Sequence, residues 1–372
     1  MKKVLFLSSW YPSRVHSTLG NFVSYHVKAV SKTNKVHVLY ITADDTIKDY
    51  EIVTESIDGI QTTIVYFKRG FFKYLNYFIA FLKGLKYVTT NFNFDLVHMN
   101  IMHPAIWQAL YIKWIKKTPY LVSENWHGFQ NLKNEQIGFL QSILIKKGFK
   151  NAYAICPVSK QLLKGMKEQG LKANYHVVPN VVNTKLFKPV NRTYRTKFKF
   201  LHVSTLDDNI KNVSGIIQAF SKLKDEKATL KIIGEGEKSY IFDLINKYKL
   251  NDKIEVEGEK TYNEIAIEMQ NANAFILFSN IENLPLVLIE AMSTGMPIIT
   301  TNVGGIPEIF NSFAGYMIKP KEEEELYLNM KRMIANYDQF DYKKISNYAI
   351  QHFSNEKVAE AFNVLYNKMT KN

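Results

Sequence analysis

One stretch, Ala274 to Ile309, AFILFSNIENLPLVLIEAMSTGMPIITTNVGGIPEI, restricts the possible folds more than any other. The apolar run Ala274–Phe278 has the length and composition of a buried parallel strand. A loop carrying Glu282 follows, then Pro285, which suits the first position of a helix because its missing N–H is not needed there. The helix carries Glu290 and stops at Gly295. A second strand, Pro297–Thr301, precedes a Gly304-Gly305 turn. Strand, helix and strand in this order form a parallel crossover unit, in which ligands gather at the carboxyl ends of the strands. Two glutamates at this separation can simply be solvated charges. Glu290, however, lies in the apolar and small-residue segment LVLIEAMSTG, where an acid needs a polar partner.

The rest of the chain repeats this grammar. In the first half the expected strands are Val4–Ser8, Val36–Ile41, Gln61–Phe67, Asp95–Met99, Tyr120–Ser123, Ala152–Pro157 and His176–Pro179. Helices are expected at Asn21–Ser31, at Pro104–Ile115 and after a Ser159 cap. The pattern breaks near 180–200, where Val190-Asn191-Arg192-Thr193 reads as a linker. It restarts with strands at Phe200–Ser204, Thr229–Ile233 and Ile254–Glu257, and helices at Val213–Leu223 and Tyr240–Tyr248. A closing helix, Asn355–Asn372, has an apolar face that must pack on something. At 372 residues the chain is too long for one ordinary core, so two doubly wound α/β domains are expected.

Charge separates the halves. Residues 1–190 carry 25 Lys and Arg against 10 Asp and Glu, whereas residues 191–372 carry 23 against 24. The basic half favours an anionic partner: a membrane surface, nucleic acid or a phosphate-bearing substrate. No aromatic-basic nucleic-acid module is present, so no nucleic-acid partner is expected. Residues 68–88, KRGFFKYLNYFIAFLKGLKYV, have two readings. As a helix they show a narrow polar stripe of Lys73, Asn76, Ala80 and Lys83 amid aromatic and aliphatic residues. That suits either an interfacial membrane helix or a deeply packed one. The single cysteine, Cys156, fits a reducing compartment. The start, MKKVLFLSSWYPS, reads as a first strand rather than a signal peptide. No stretch is long and apolar enough to span a bilayer. A cytoplasmic location is expected, on the inner face of the membrane if the contact through 68–88 is made.

Some residues could carry chemistry. Lys211, in Asn209-Ile210-Lys211-Asn212, lies between a strand and a helix, where a cation beside free amides suits a diphosphate or is a plain surface charge. Gly234-Glu235-Gly236 allows close backbone approach to a ligand or makes a simple turn. Gly20 precedes a helix at the phosphate position of nucleotide-binding folds, or is a simple turn glycine; no Gly-x-Gly-x-x-Gly fingerprint surrounds it, which argues against a nicotinamide or flavin enzyme. His103 and His127, in VHMNIMHP and SENWHGF, follow strand ends without triad spacing. No Cys/His cluster or carboxylate pair has metal-ligand spacing, so neither a metal nor a cofactor is expected.

Taken together these residues resemble the retaining GT-B glycosyltransferases, the group 1 glycosyl transferases. The resemblance rests on Glu282 and Glu290 at Glu-x7-Glu spacing, Gly295-Met296-Pro297 and Gly304-Gly305-Ile306-Pro307-Glu308. It extends to Lys211-Asn212, Gly234-Glu235-Gly236, Val178-Pro179-Asn180 with Phe187 and Pro189, and Val158-Ser159.

The resemblance implies two Rossmann-like domains facing a cleft, with the last helix crossing back to the first. Residues 1–188 plus 355–372 would bind acceptor, and residues 189–354 would bind donor. It implies a UDP- or GDP-linked sugar donor with Glu290 on the ribose hydroxyls. Glu282 and the backbone of Asn283, Leu284 and Leu286 would hold the sugar. Lys211 would lie on the diphosphate, with Gly234 in the same donor site, and Gly20 would approach the diphosphate from the other side. His127 would act with Lys211 and Glu282 in catalysis, and His103 and Asn125 would lie on the acceptor side. The acceptor would be a glycan or a polyprenyl-linked oligosaccharide of a cell-surface polysaccharide.

The chain departs from the family in three places. Ser204-Thr205 stands where Gly-Arg is common, Asn180-Val181-Val182-Asn183 where Asn-Gly-Val-Asp is, and Asn125 where many relatives have histidine. A sugar-nucleotide epimerase on the same architecture, or a non-catalytic basic membrane-binding protein, are the rival expectations. Product analysis without acceptor, and salt-dependent binding without turnover, would distinguish them.

Overall fold

A computed structural model describes residues 1–372 apart from 18, 131, 133, 134, 136, 192–196, 224–226 and 371–372. The chain divides into two compact units, Met1–Val181 with Asn355–Asn372, and Val182–Ser354. The linker expected at Val190–Thr193 lies partly outside the described residues. The expected boundary at 188/189 falls just after a segment that packs with the second unit. There the Val182 amide donates to the Phe353 carbonyl at 2.9 Å, and Ser293 Oγ donates to the Phe187 carbonyl at 2.7 Å.

The first unit is built on β1 (Lys3–Ser8), β2 (Lys35–Ala43), β3 (Tyr50–Ile57), β4 (Ile60–Phe67), β5 (Leu96–Asn100), β6 (Tyr120–Glu124) and β7 (Ile155–Pro157). They form one sheet in the order β3-β4-β2-β1-β5-β6-β7, parallel except for β3. The order of the strands switches between β1 and β5, which run parallel, and this makes the loops after these two strands the ligand position of such a sheet. The helices are α1 (Asn21–Ser31), α2 (Lys73–Asn91), α3 (Ile106–Lys116), α4 (Phe139–Asn151) and α5 (Lys160–Glu168). β1, β5 and β6 read as continuous apolar runs because both their faces are covered, and nearly all their side chains are buried. Ser159 caps α5 by accepting from the Leu162 amide. His176–Pro179 is not a strand, although the His176 and Val178 amides donate to the carbonyls of Ile155 and Pro157 and hold it beside β7.

The second unit begins with β8 (Phe198–Ser204), α6 (Asp208–Lys211), α7 (Val213–Phe220), β9 (Ala228–Gly234), α8 (Ser239–Tyr248), β10 (Ile254–Glu257) and α9 (Tyr262–Asn271). It continues with β11 (Ala274–Leu277), α10 (Leu286–Ser293), β12 (Ile298–Thr301), α11 (Ile306–Ile309), β13 (Gly315–Ile318), α12 (Glu323–Ala335) and α13 (Tyr342–Phe353). The sheet runs β10-β9-β8-β11-β12-β13, all parallel, and its strand order reverses between β8 and β11. Its core joins Phe198, Phe200, Ile232, Ile276 and Phe278 to Ile216, Ile217 and Phe220 of α7.

The last helix, α14 (Asn355–Met369), belongs to the first unit, as the fold resemblance implies. It packs against α1, where Phe362 meets the His26 ring edge to face at 5.5 Å, and it buries Leu365 and Tyr366. The Tyr366 hydroxyl lies 2.6 Å from His98 Nδ1, whose Nε2 is 2.7 Å from Ser123 Oγ. Asn34 Nδ2 donates to Asn363 Oδ1 at 2.7 Å.

The 68–88 stretch is packed along its later turns and exposed at its start. Ala80, Phe81, Gly84, Leu85 and Val88 are buried, and Gly84 lies against Leu39 and Val65, so the later turns of α2 pack on β2 and β4. Ala80 therefore belongs to the buried face and not to a polar stripe. The aromatic residues at the start of the segment face outward.

Candidate active site

The loops after β8 and β11 meet at the reversal point of the second sheet, and they carry Lys211 and Glu282. Lys211 Nζ donates to Glu282 Oε1 at 2.6 Å, and Ser279 Oγ donates to the same oxygen at 2.8 Å. Lys211 closes the short α6, which Asp207 caps through the Asn209 amide. Asn212 follows with φ 49° and caps α7 by accepting from the Gly215 amide at 3.1 Å. The two loops are stitched by backbone: the Asn280 amide donates to the Ile210 carbonyl at 2.8 Å.

The loop after β12 closes the third side. Thr301 Oγ1 donates to the Ser279 carbonyl at 2.7 Å, and the Gly305 amide donates to the Asn283 carbonyl at 2.6 Å. Gly304, at φ 57°, comes so close that a Cβ on it would lie 2.1 Å from the Glu282 carbonyl oxygen. Only glycine permits that approach. Asn283 and Leu284 thus lie in a braced loop. Pro285 sits one residue earlier than expected, with extended backbone at the cap, so that Leu286 opens α10. Gly234 ends β9 against the Ser204 carbonyl, 1.9 Å from where its Cβ would be.

Glu290 is the unusual group. It is 4 % exposed on α10, its Oε1 has no hydrogen-bond partner, and burial pushes its carboxyl up to about 8. A buried carboxyl in this state is a vacant acceptor. Thr300 Oγ1, at the end of β12, is likewise buried without a partner. Where Gly-Arg was common, Ser204 Oγ accepts from the Leu206 amide at 3.1 Å and lies 2.7 Å from Nε2 of the buried His202. Desolvation lowers that imidazole to about 4, so it is neutral near pH 7.

In the first unit Gly20 caps α1 at φ 76°, with a would-be Cβ 2.5 Å from the Trp10 carbonyl oxygen. His103 follows β5, and its ring stacks on Trp126 at 4.9 Å and 19°. Burial lowers its pKa. Asn125 lies directly after β6, and its amide donates to Glu124 Oε1 at 2.9 Å. His127, exposed, opens a single turn of tight helix, His127–Gln130. These three therefore cluster at the carboxyl ends of neighbouring strands.

Glu124 was not foreseen. It is fully buried, and its carboxylate accepts from the amides of Met102 (2.8 Å), Asn125 and Trp126 (2.8 Å), tying the loops after β5 and β6 together. The signal was available: an acid closing the apolar strand YLVSE, the same anomaly that marked Glu290. Among the described residues no group of three or more His, Cys, Asp or Glu is placed to hold a metal ion.

The family model described as "Glycosyl transferases group 1" matches residues 183–352, and that of "Glycosyltransferase Family 4" matches residues 20–186. The N-acetyl-alpha-D-glucosaminyl L-malate synthase of Bacillus anthracis is 27 % identical over 307 residues, covering 74 % of this chain and 78 % of that protein. Sucrose-phosphate synthase from Thermosynechococcus elongatus superposes with a TM-score of 0.78 at 18 % identity, over 100 % of both chains. HepE from Anabaena, solved with UDP and glucose, superposes at 0.77 with 16 % identity, over 99 % of this chain and 100 % of that one.

Proposed function

The chain belongs to the group 1 glycosyl transferases, and from that membership we propose that it moves a sugar, with retention and without a bound metal, from a UDP- or GDP-linked donor. The acceptor is a glycan or polyprenyl-linked oligosaccharide of a cell-surface polysaccharide, met at the inner face of the cytoplasmic membrane. The UDP and glucose in the HepE structure favour a UDP-linked donor.

The observation that carries the reading is Glu290, a buried carboxyl with a vacant oxygen beside α10. Ribose hydroxyls donate to it and supply the missing partners. The Lys211–Glu282 pair is the resting arrangement. An arriving diphosphate draws the Lys211 ammonium to itself and releases Glu282 to accept from sugar hydroxyls, alongside the backbone of Asn283, Leu284 and Leu286. As the glycosidic bond breaks, charge grows on the diphosphate, and Lys211 stabilises that charge more than it does the ground state. The departing diphosphate takes the acceptor proton on the same face, which preserves the anomeric configuration. His127 serves the reacting end, and His103 and Asn125 line the acceptor side. Calorimetry with a panel of nucleotide sugars on Glu290→Ala tests the reading: binding should vanish, and unchanged affinity would remove Glu290 from the donor site.

A further inference from the structure

We infer that Lys68–Phe78 forms a rigid aromatic wedge that docks on an anionic lipid surface, and that the acceptor reaches the protein from that surface. The second clause rests on the transferase reading; the first does not.

Phe71 is 95 % exposed, Phe72 64 %, Tyr74 74 % and Leu75 53 %, a run of large apolar side chains directed into solvent. Such a cluster marks an interaction site more often than a bare surface. The rings of Phe71 and Phe72 meet edge to face at 5.2 Å, which makes them one protrusion. The backbone beneath is braced. Asn76 Nδ2 donates to the carbonyls of Lys68 (3.0 Å) and Arg69 (3.2 Å), and the Lys68 amide donates to the Asp49 carbonyl at 3.1 Å. Presenting these side chains therefore needs no further ordering of the chain. The buried later turns of α2 confine insertion to this wedge.

Charge selects the occupant. Residues 59–94 contain Lys68, Arg69, Lys73, Lys83 and Lys86 and no acidic residue. Of the acids on the neighbouring segment, Asp45 is paired with Arg69 at 3.6 Å, which leaves the exposed Asp49 against Lys68, Lys73, Lys83 and Lys86. Exposed aromatics flanked by lysines match the headgroup region of an anionic leaflet. A second copy would set one basic surface against another, which repels. The wedge follows β4, His103 follows β5 and His127 follows β6, so all three lie at the carboxyl edge of parallel strands in one sheet. A surface held by the wedge borders the edge that carries the acceptor-side residues.

Flotation of the full chain with phosphatidylglycerol–phosphatidylcholine vesicles, against phosphatidylcholine alone, tests this. The protein should float with the anionic vesicles and be released by salt. The double variant F71S/F72S should partition roughly tenfold or more weakly, and Lys68→Ser and Lys73→Ser roughly fivefold each. Phe242→Ser, at an exposed aromatic of the second unit, should bind as the unaltered chain does. Equal flotation of F71S/F72S, absence of flotation with anionic vesicles, or a lipid-free dimer that F71S/F72S dissociates would each overturn the proposal. A nucleotide thermal shift measured without lipid reads the donor site separately, so either reading can fail while the other stands.

Discussion

Replacing Glu290 by Gln should make the ligand-free protein more stable at neutral pH while weakening its hold on the donor. The native carboxyl keeps its proton up to about pH 8, because burial disfavours the charge. The unfolded chain releases that proton near the ordinary value of 4.5. Between those values the unfolded state binds fewer protons than the native one, so stability falls as pH rises, by about 1.4 kcal/mol per pH unit. By pH 7 the loss is about 3 kcal/mol, on the order of 10 °C in melting temperature for a unit of this size. Gln does not titrate, so its own profile lacks this slope, whatever constant its amide adds.

Ligand reverses the order. Losing the hydrogen bonds between the ribose hydroxyls and this buried carboxyl leaves buried polar groups unpaired and weakens binding by about 1–3 kcal/mol. At a hundredfold excess over the original Kd, stabilisation by nucleotide then drops from about 2.7 to about 0.4 kcal/mol for a hundredfold weaker variant. The assay is a melting series from pH 5 to pH 8, with and without UDP. Parallel ligand-free profiles for Glu290→Gln and the unaltered chain would refute the strained carboxyl, and equal UDP shifts would refute its role.

Lys211→Met should lower kcat by roughly a hundred- to a thousandfold while nucleotide affinity changes far less, as steady-state kinetics with matched calorimetry would show. Gly304→Ala forces a methyl to 2.1 Å from the Glu282 carbonyl at φ 57°; a lower melting temperature, about 1–3 kcal/mol in stability, and a raised donor KM are expected together. Tyr366→Phe removes the hydroxyl at 2.6 Å from buried His98, and urea unfolding should report a loss of about 1–3 kcal/mol, with an unchanged midpoint counting against that bond.

Buried strands flanked by amphipathic helices were legible because their apolar patterning survives burial: α1 spans Asn21–Ser31 as the apolar spacing indicates, and β1 spans Lys3–Ser8 against the expected Val4–Ser8. The antiparallel β3 was missed since EIVTESI is half polar at a sheet edge. Its trace was the pair Asp58-Gly59, both at positive φ, which turns the hairpin into β4. In the site, Lys211 and Glu282 were visible as residue types at strand ends, but the 2.6 Å pairing between them joins positions far apart in the chain. Ser279, Thr301 and His202 escaped notice because a hydroxyl or imidazole in an apolar strand end looks like any other buried polar group until its partner is known. Glu124 was readable by the reasoning that found Glu290 and was not read.

The return of α14 to the first unit has a consequence for how this protein is made. Residues 1–181 leave the ribosome without the helix that covers α1, with the imidazole of His98 lacking the Tyr366 hydroxyl and Asn34 lacking Asn363. At ordinary elongation rates residue 369 follows residue 181 by about 10–40 s. For that interval the basic half of the chain has an open apolar face, while the intervening unit, continuous in sequence, can finish first. The half that begins synthesis is therefore the half that completes folding last, and a nascent chain stalled before Asn355 would be a target for chaperones rather than a working half-enzyme.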